Sequence, residues 1–205
     1  MTAHYYLKLA YALILALLTG AELQGQDYRV LGSRDAPVEL TIYSDFECPY
    51  CRNFALAAVP AIVAEFVNPG RVRLRYVYFP LAANHANAVG AAKAAHCAGL
   101  AGRFWAFHDY LYVRQPEWAG EAVPDSVWLA YAGNLGLDRG AFAGCLTSAE
   151  TNSAIEADLR ASLELGATGT PTIVVNGRSI SGFSSYEELR REIISAIEAA
   201  ENPGN

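Results

Sequence analysis

The chain has 205 residues, of which 53% are hydrophobic and 18% are charged, and its formal net charge is −6. This composition is typical of one globular domain with a sizeable core, and it excludes a largely disordered chain. Lysine and arginine form no basic cluster, so we expect no nucleic-acid partner. The negative net charge also disfavours binding to anionic surfaces.

The N-terminal stretch has the order of a secretory signal. Lys8 precedes an apolar run over residues 9–18, and small residues follow at 19–21. The run is shorter than the roughly 20 apolar residues that span a bilayer. We interpret residues 1–21 as a targeting segment, either a cleaved signal peptide or an uncleaved N-terminal anchor, with an ordinary core helix as the alternative. The first interpretation places the domain outside the cytoplasm, in the periplasm or at the cell surface.

The remaining chain, residues 28–201, predicts one α/β domain with the order β-α-β, a helical block and β-β-α. Alternating, β-branched segments predict strands, and apolar residues at helical spacing predict helices. Asn-Gly at 176–177 predicts a hairpin turn, and Ser184–Glu187 predicts a capping box before the last helix. The predicted strands are 38–43, 71–79, 172–175 and 178–180. The predicted helices include 48–67 (kinked at Pro60), 104–113 (ended before Pro116) and others within a helical block of about 82–166.

Two cysteines separated by two residues lie where the first strand meets the first helix. A thiolate at a helix N-terminus is stabilised by unpaired N–H groups and by the helix dipole, so Cys48 is the expected nucleophile. Cys51 lies one turn later and is placed to resolve a mixed disulfide. The alternatives are half of a zinc site, for which no second ligand pair has a suitable spacing, and a structural disulfide. We expect no metal and no cofactor.

The other two cysteines, Cys97 and Cys145, both lie in predicted helices. In an oxidising compartment we expect them to form a structural disulfide. Two buried free cysteines are the alternative interpretation.

Several segments resemble the DsbA-like branch of the thioredoxin superfamily. The resemblance covers residues from about 28 to 200, and it implies a thioredoxin-like fold with a helical insertion. It also identifies the loop before the strand at 172–175 as a cis-proline loop. The segments that carry the resemblance are Asp35–Pro37, Ser44–Cys51, Gly169–Thr172, Phe104–Asp109 and Leu135–Asp138.

The resemblance implies a site for an extended client peptide beside the cysteine pair. Pro171 would be cis, and the backbone of Thr170 would pair with the client, aided by Pro49 and Tyr50. The chain also departs from the family. Relatives often have an acidic residue six positions before the first cysteine, where this chain has Ile42. Asp45 is the candidate replacement for proton transfer, with capping of the helix start as its alternative role.

These features predict an exported thiol:disulfide oxidoreductase. It would exchange the Cys48–Cys51 disulfide with cysteines of unfolded or folding proteins through a mixed disulfide on Cys48. A membrane thiol oxidase or reductase would restore the starting redox state. Two alternatives remain open: a disulfide reductase or isomerase with the same site, and a redox-inert chaperone or binding module on the same scaffold. Sequence does not decide the direction, because direction depends on reduction potential and partner.

Overall fold

The computed structural model describes residues 27–181 and 183–202, so the predicted targeting segment 1–21 lies outside the described residues. A mixed five-stranded sheet forms the centre of the domain, with the strand order β1-β3-β2-β4-β5. Its strands are β1 (Val30–Leu31), β2 (Val38–Ser44), β3 (Val72–Tyr78), β4 (Thr172–Val175) and β5 (Arg178–Ser181). The predicted α/β class is confirmed.

Helices cover the sheet and form the block inserted between β3 and β4. Three helical segments connect β2 to β3: α1 (Pro49–Ala57), α2 (Val59–Ile62) and a π-helical turn (Val63–Val67). The insertion contains α3 (Ala88–Leu100), α4 (Phe104–Trp118), α5 (Ser126–Asn134), α6 (Arg139–Leu146) and α7 (Ala149–Glu164). The last helix is α8 (Tyr186–Glu201).

Strand β2 lies in the middle of the sheet and leads directly into the cysteine motif. It pairs parallel with β3 and antiparallel with β4. In the parallel pair, Ile42 lies opposite Tyr76 and Ser44 opposite Tyr78. Because side chains alternate along a strand, all four of these side chains share one face of the sheet. This face points toward α1 and the insertion.

Two hydrophobic clusters hold the domain together. One packs β2, β3 and β4 against α1, the π-helical turn and α8, with Ile42, Phe54 and Ile193 among its buried members. The other joins the cysteine motif to the insertion and includes Cys51 and Tyr76. The cysteine pair therefore lies at the boundary between the sheet and the insertion.

The predicted continuous helix 48–67 is divided into three segments. Cys48 is the N-cap of α1, and α1 ends at Ala57. Pro60 has no N–H to donate to the carbonyl four residues earlier, so the regular hydrogen-bond ladder is interrupted there. The chain resumes as α2 and closes with a π-helical turn, whose last bond runs from Asn68 N to Val63 O. The prediction of one kinked helix was wrong in its continuity.

The helix predicted to end before Pro116 instead continues to Trp118. Pro116 cannot donate to the carbonyl of Tyr112, which would normally leave that carbonyl unpaired. Arg52 on α1 supplies the missing donor, because its Nε lies 2.9 Å from Tyr112 O. A side chain from another helix thus allows α4 to pass through a proline.

The C-terminal β-β-α unit forms as expected, with one correction. Asn176 and Gly177 both have positive φ, 45° and 83°, as a tight hairpin turn requires. The N-cap of α8 is Ser185, whose hydroxyl accepts a hydrogen bond from Glu188 N. The capping box is therefore one residue later than the predicted Ser184–Glu187. A second Ser-x-x-Glu spacing starts at Ser185, so the pattern alone was ambiguous.

Within the described residues, the segment Pro49–Val67 is long and apolar enough to cross a membrane by length and composition. Many of its apolar side chains, among them Phe54, Ile62 and Phe66, are buried in the domain core, although Leu56 is exposed. We therefore interpret these three helical segments as part of the packed domain.

Candidate functional site: a cysteine pair at a helix N-terminus

Cys48 and Cys51 are free thiols at the junction of β2 and α1. Cys48 has extended backbone geometry, as an N-cap residue should, and Pro49 occupies the first helical turn without losing a hydrogen bond. Cys48 is 4% exposed and Cys51 is 0% exposed. Both cysteines are therefore buried, and Cys51 is the more enclosed of the two.

The surroundings of Cys48 favour its thiolate. A hydrogen bond from the Cys51 thiol makes the largest contribution, and it lowers the pKa of Cys48 to about 5 in spite of burial. The Thr170 hydroxyl and the backbone N–H groups of Cys51 and Tyr50 act in the same direction. These N–H groups are the unpaired donors of the α1 N-terminus. Cys48 thus has the electrostatic setting of a reactive cysteine.

Cys51 has the opposite setting. Burial raises the pKa of Cys51 well above that of an ordinary thiol, and the nearby Cys48 adds to the effect. At neutral pH the pair consists of a Cys48 thiolate and a Cys51 thiol. The two sulfur atoms therefore have different roles before any substrate binds.

The predicted cis-proline loop lies against the cysteine pair. The Thr170–Pro171 peptide bond is cis, and Thr170 O lies 3.4 Å from the Cys48 sulfur. The Thr170 hydroxyl is buried and makes no hydrogen bond of normal geometry within the described residues, but its nearness to Cys48 acts to lower the pKa of that thiol. Pro49 and Tyr50 lie at the surface beside the pair, and Tyr50 is 70% exposed. The four predicted substrate-contacting residues are thus close to Cys48.

Asp45 is fully buried and its carboxylate is engaged by other groups. It accepts hydrogen bonds of 2.8 Å from Glu47 N and Leu81 N, and it pairs with His85 Nδ1 at 2.7 Å. Burial acts to lower the pKa of His85, but the hydrogen bond and charge of Asp45 raise it overall. Asp45 caps the turn before α1 and not the helix itself, since α1 has no side-chain cap. The capping expectation was therefore misplaced by one turn, and a role in proton transfer stays a prediction.

Two buried polar side chains that the sequence reasoning missed hold the motif in place. Glu47, 4% exposed, accepts hydrogen bonds from the backbone of Asn87 at 2.6 Å and of Gly120 at 2.7 Å. Gln115 on α4 donates to Phe46 O at 2.7 Å and to Cys48 O at 3.0 Å. Nothing in the local pattern singled out either residue, because their partners lie far away in the chain.

Cys97 and Cys145 form the disulfide that the sequence analysis favoured. The bond joins α3 to the end of α6 within the insertion. Thr151 Oγ1 lies 3.3 Å from the Cys145 sulfur and 3.8 Å from the Cys97 sulfur. This second pair is distant in sequence from the motif and shares no hydrogen bond with it.

Residues 27–181 and 183–202 contain no group of three or more histidine, cysteine, aspartate or glutamate side chains arranged to hold a metal ion.

Known proteins are similar to this chain in sequence and in fold. The family model described as Thioredoxin matches residues 25–195. "Disulfide bond formation protein D" of Bacillus subtilis is 28% identical over 80% of this chain and 74% of its own length. The oxidised crystal structure of BdbD from Bacillus subtilis superposes with a TM-score of 0.76 at 26% identity, covering 83% of this chain and 92% of that one. Wolbachia pipientis alpha-DsbA1 superposes with a TM-score of 0.77 at 18% identity, covering 86% of this chain and 94% of that one.

Other relatives are larger proteins with a different name. "Na(+)/H(+) antiporter NhaA 1" of Salinispora arenicola is 38% identical over 82% of this chain, but the match covers 24% of the antiporter. The chain thus spans about a quarter of the length of these curated relatives.

The chain belongs to the thioredoxin family. Within it, the fold is that of the DsbA-like proteins, with a helical insertion between the two halves of the sheet.

Proposed function

We propose that the protein is exported and exchanges its Cys48–Cys51 disulfide with cysteines of folding proteins through a mixed disulfide on Cys48. The observation that carries this proposal is the asymmetry of the pair. Cys48 lies at a helix N-terminus beside Thr170 with its pKa lowered to about 5, while burial raises the pKa of Cys51. A good leaving thiolate at Cys48 favours transfer of the disulfide to the client.

The proposed exchange has two steps. A client thiolate attacks the Cys48 sulfur, the Cys48–Cys51 bond breaks, and its electron pair leaves on Cys51. The second client thiol then loses its proton and attacks the client sulfur of the mixed disulfide. Cys48 departs as a thiolate and Cys51 is left as a thiol, so one proton moves from the client to the enzyme. The depressed pKa of Cys48 assists this second step, because a thiolate of low pKa leaves faster.

We propose that clients bind in an extended conformation along the Thr170–Pro171 loop. The backbone of Thr170 is next to the sulfur that a client must reach. Hydrogen bonds between main chains do not read side chains, so they suit many different clients. Pro49 and the exposed ring of Tyr50 would add apolar contact on the open side of the site.

The location and partner are further parts of this proposal. We propose an extracytoplasmic enzyme, directed there by residues 1–21 and reoxidised by a thiol oxidase in the membrane. The Cys97–Cys145 disulfide supports the proposal, because disulfides persist in oxidising compartments. We carry no transport activity over from the antiporters, since the match leaves three quarters of those proteins unmatched.

A disulfide reductase or isomerase would use the same two sulfur atoms. The lowered pKa of Cys48 favours the oxidant, because it stabilises the reduced enzyme and thereby raises the reduction potential. A potential near that of glutathione or above it supports the oxidase, and one near that of thioredoxin supports the reductase. A redox-inert chaperone would show no exchange at either potential.

The decisive experiment is a trap for the mixed disulfide. Cys51→Ser removes the resolving thiol, so its Cys48 thiolate should attack a disulfide of an unfolded client, release the other client sulfur as a thiolate and remain bound as a mixed disulfide. We expect these covalent adducts to disappear on reduction. Cys48→Ser is the matched control and should give none. Failure of Cys51→Ser to form adducts, with the oxidised wild-type protein also unable to oxidise the reduced form of that client, would contradict the proposal. Cell fractionation of the full chain tests the proposed location.

A further inference from the structure

A chain of three buried hydroxyl groups lies behind the cysteine pair. The Ser44 hydroxyl is 2.8 Å from the Tyr112 hydroxyl, which is 3.2 Å from the Tyr76 hydroxyl. All three residues are nearly inaccessible to solvent, with exposures of 3%, 0% and 1%. Burying three hydroxyls at such short spacing is costly unless each has a hydrogen-bond partner.

The hydroxyl chain lies in the same buried region as Cys51. Ser44 and Tyr76 lie on the sheet face that α1 covers, and Tyr112 reaches the same point from α4. Cys51, Tyr76 and Tyr112 belong to one buried cluster. Although burial dominates and raises the pKa of Cys51, hydrogen bonding to Ser44 acts to lower it. Ile42, where related proteins often have an acid, is on the same face and buried in the neighbouring apolar cluster.

The hydrogen bonds of this chain have two possible directions, because each hydroxyl has one proton to donate. In one direction Ser44 donates to Tyr112, and Tyr112 donates to the Asp45 carbonyl, 3.4 Å away. In the other direction Tyr76 donates to Tyr112 and Tyr112 donates to Ser44, which leaves the Ser44 proton free for a sulfur atom. A negative charge on Cys51 favours the second direction.

We propose that Ser44, oriented by Tyr112 and Tyr76, donates the hydrogen bond that stabilises the Cys51 thiolate when it leaves Cys48. This inference rests on the proposed function and assigns it three further residues. Ser44 is the donor to a reacting atom, and the two tyrosines are positioning residues. The Ile42 side chain cannot form a hydrogen bond, so in this protein the three hydroxyls would stabilise the charge on the buried sulfur of Cys51.

The step that the chain assists is the first one of the exchange. The client thiolate forms a bond to the Cys48 sulfur, and the electron pair of the Cys48–Cys51 bond moves onto Cys51. No proton is transferred at this point, so the negative charge moves from the client into a site without water contact. Donors already in place stabilise such a charge more than mobile ones, because they need no reorganisation.

The test compares hydroxyl deletions in the oxidised full-length protein. We expect Ser44→Ala and Tyr112→Phe each to slow mixed-disulfide formation with a single-thiol peptide by about tenfold, since each removes a hydrogen bond to a charged group or its support. Tyr76→Phe should have a smaller effect in the same direction. Tyr78→Phe is the matched control, because Tyr78 is a buried tyrosine on the same strand whose hydroxyl is outside the chain.

A second readout separates this role from a structural one. In a Cys48→Ser background, the pKa of Cys51, followed by alkylation across pH, should be higher in Ser44→Ala and Tyr112→Phe than in the parent and unchanged in Tyr78→Phe. Tyr112→Phe keeps the ring, so it preserves the test if Ser44→Ala does not fold. Unchanged rates and an unchanged Cys51 pKa would overturn the assignment. If the parent protein shows no exchange, the proposed function fails, and the Cys51 pKa still decides the role of Ser44.

Discussion

The protein contains two cysteine pairs that differ in redox state, in position and in surroundings. Cys48 and Cys51 are free thiols at a helix N-terminus, surrounded by donors and facing a loop from the other half of the domain. Cys97 and Cys145 are bonded to each other and join two helices of the insertion. The first pair has two sulfur atoms whose pKa values are driven apart, which is a frequent mark of a functional site. The second pair closes a loop.

The position of a cysteine in the fold determines whether its thiolate is stabilised. A helix N-terminus offers unpaired N–H groups, and these stabilise a thiolate. The Cys97–Cys145 disulfide lies inside a helical block, with Thr151 as its hydrogen-bonding neighbour. Four experiments test this contrast between the two pairs.

The largest effect is expected from removing the Cys48 nucleophile, compared with removing the Cys97–Cys145 disulfide. Cys48→Ser should reduce disulfide exchange with a client to the uncatalysed rate, because the thiolate is the attacking and leaving group. The Cys97→Ala/Cys145→Ala double variant should keep most of the activity at a temperature where it is folded. A client oxidation assay measures both. Loss of activity in the double variant while it remains folded would erase the distinction between the pairs.

Removing the second pair should mainly lower stability. The disulfide has a sequence separation of 48 residues. The loop that it closes corresponds to at most about 4 kcal/mol of unfolding free energy on the chain-entropy model. Urea denaturation of Cys97→Ala/Cys145→Ala against the parent measures this difference. A change of less than a tenth of that value would mean that packing alone holds α3 to α6.

The stability of the reduced protein should depend on pH through the pKa values of Cys48 and Cys51. The folded-state pKa of Cys48, about 5, lies below the ordinary value of 9.0. Its stabilisation of the reduced protein is therefore fully present above pH 9 and is lost as pH falls through 5. The pKa of Cys51 is raised, so the dependence on pH is reversed. Its contribution to the stability of the reduced protein is present below pH 9 and is lost only at higher pH.

The two shifted pKa values also predict how steeply the reduction potential changes with pH. Between pH 5 and 9 one proton accompanies two electrons, so we expect a fall of about 30 mV per pH unit. Below pH 5 two protons are taken up, and the slope should double. Equilibration with glutathione across this range measures it. A steeper slope of about 59 mV persisting to pH 9 would show that Cys48 is an ordinary thiol.

The smallest effect is expected at the neighbour of the second pair. Thr151→Val keeps the side-chain shape but removes the hydroxyl that contacts both sulfur atoms and Ser148. We expect a loss of about 1 kcal/mol in unfolding free energy. The exchange rate at Cys48 should not change. A change in that rate would indicate coupling between the two pairs, and thermal unfolding with a parallel exchange assay distinguishes the outcomes.

Local patterns were enough to predict several features. Alternation predicted β2 and β3, Asn-Gly predicted the hairpin, and the position of Cys48 after a strand predicted a helix N-terminus. These features depend on interactions between residues close in sequence, such as turn geometry, capping and side-chain period. The same local reasoning was wrong about helix continuity at Pro60 and about the end of α4 at Pro116.

The tertiary structure decided what surrounds the cysteine pair. Thr170 lies 122 positions after Cys48 and still touches its sulfur. Arg52 completes α4 at Pro116, and Gln115 binds the carbonyls of the motif. Ser44 meets Tyr112 across 68 positions. No local sequence pattern predicts these contacts, because each requires two elements to pack at a particular distance and angle. The sequence was enough to predict a cysteine pair at a helix N-terminus, and packing of distant elements placed the groups that surround each sulfur.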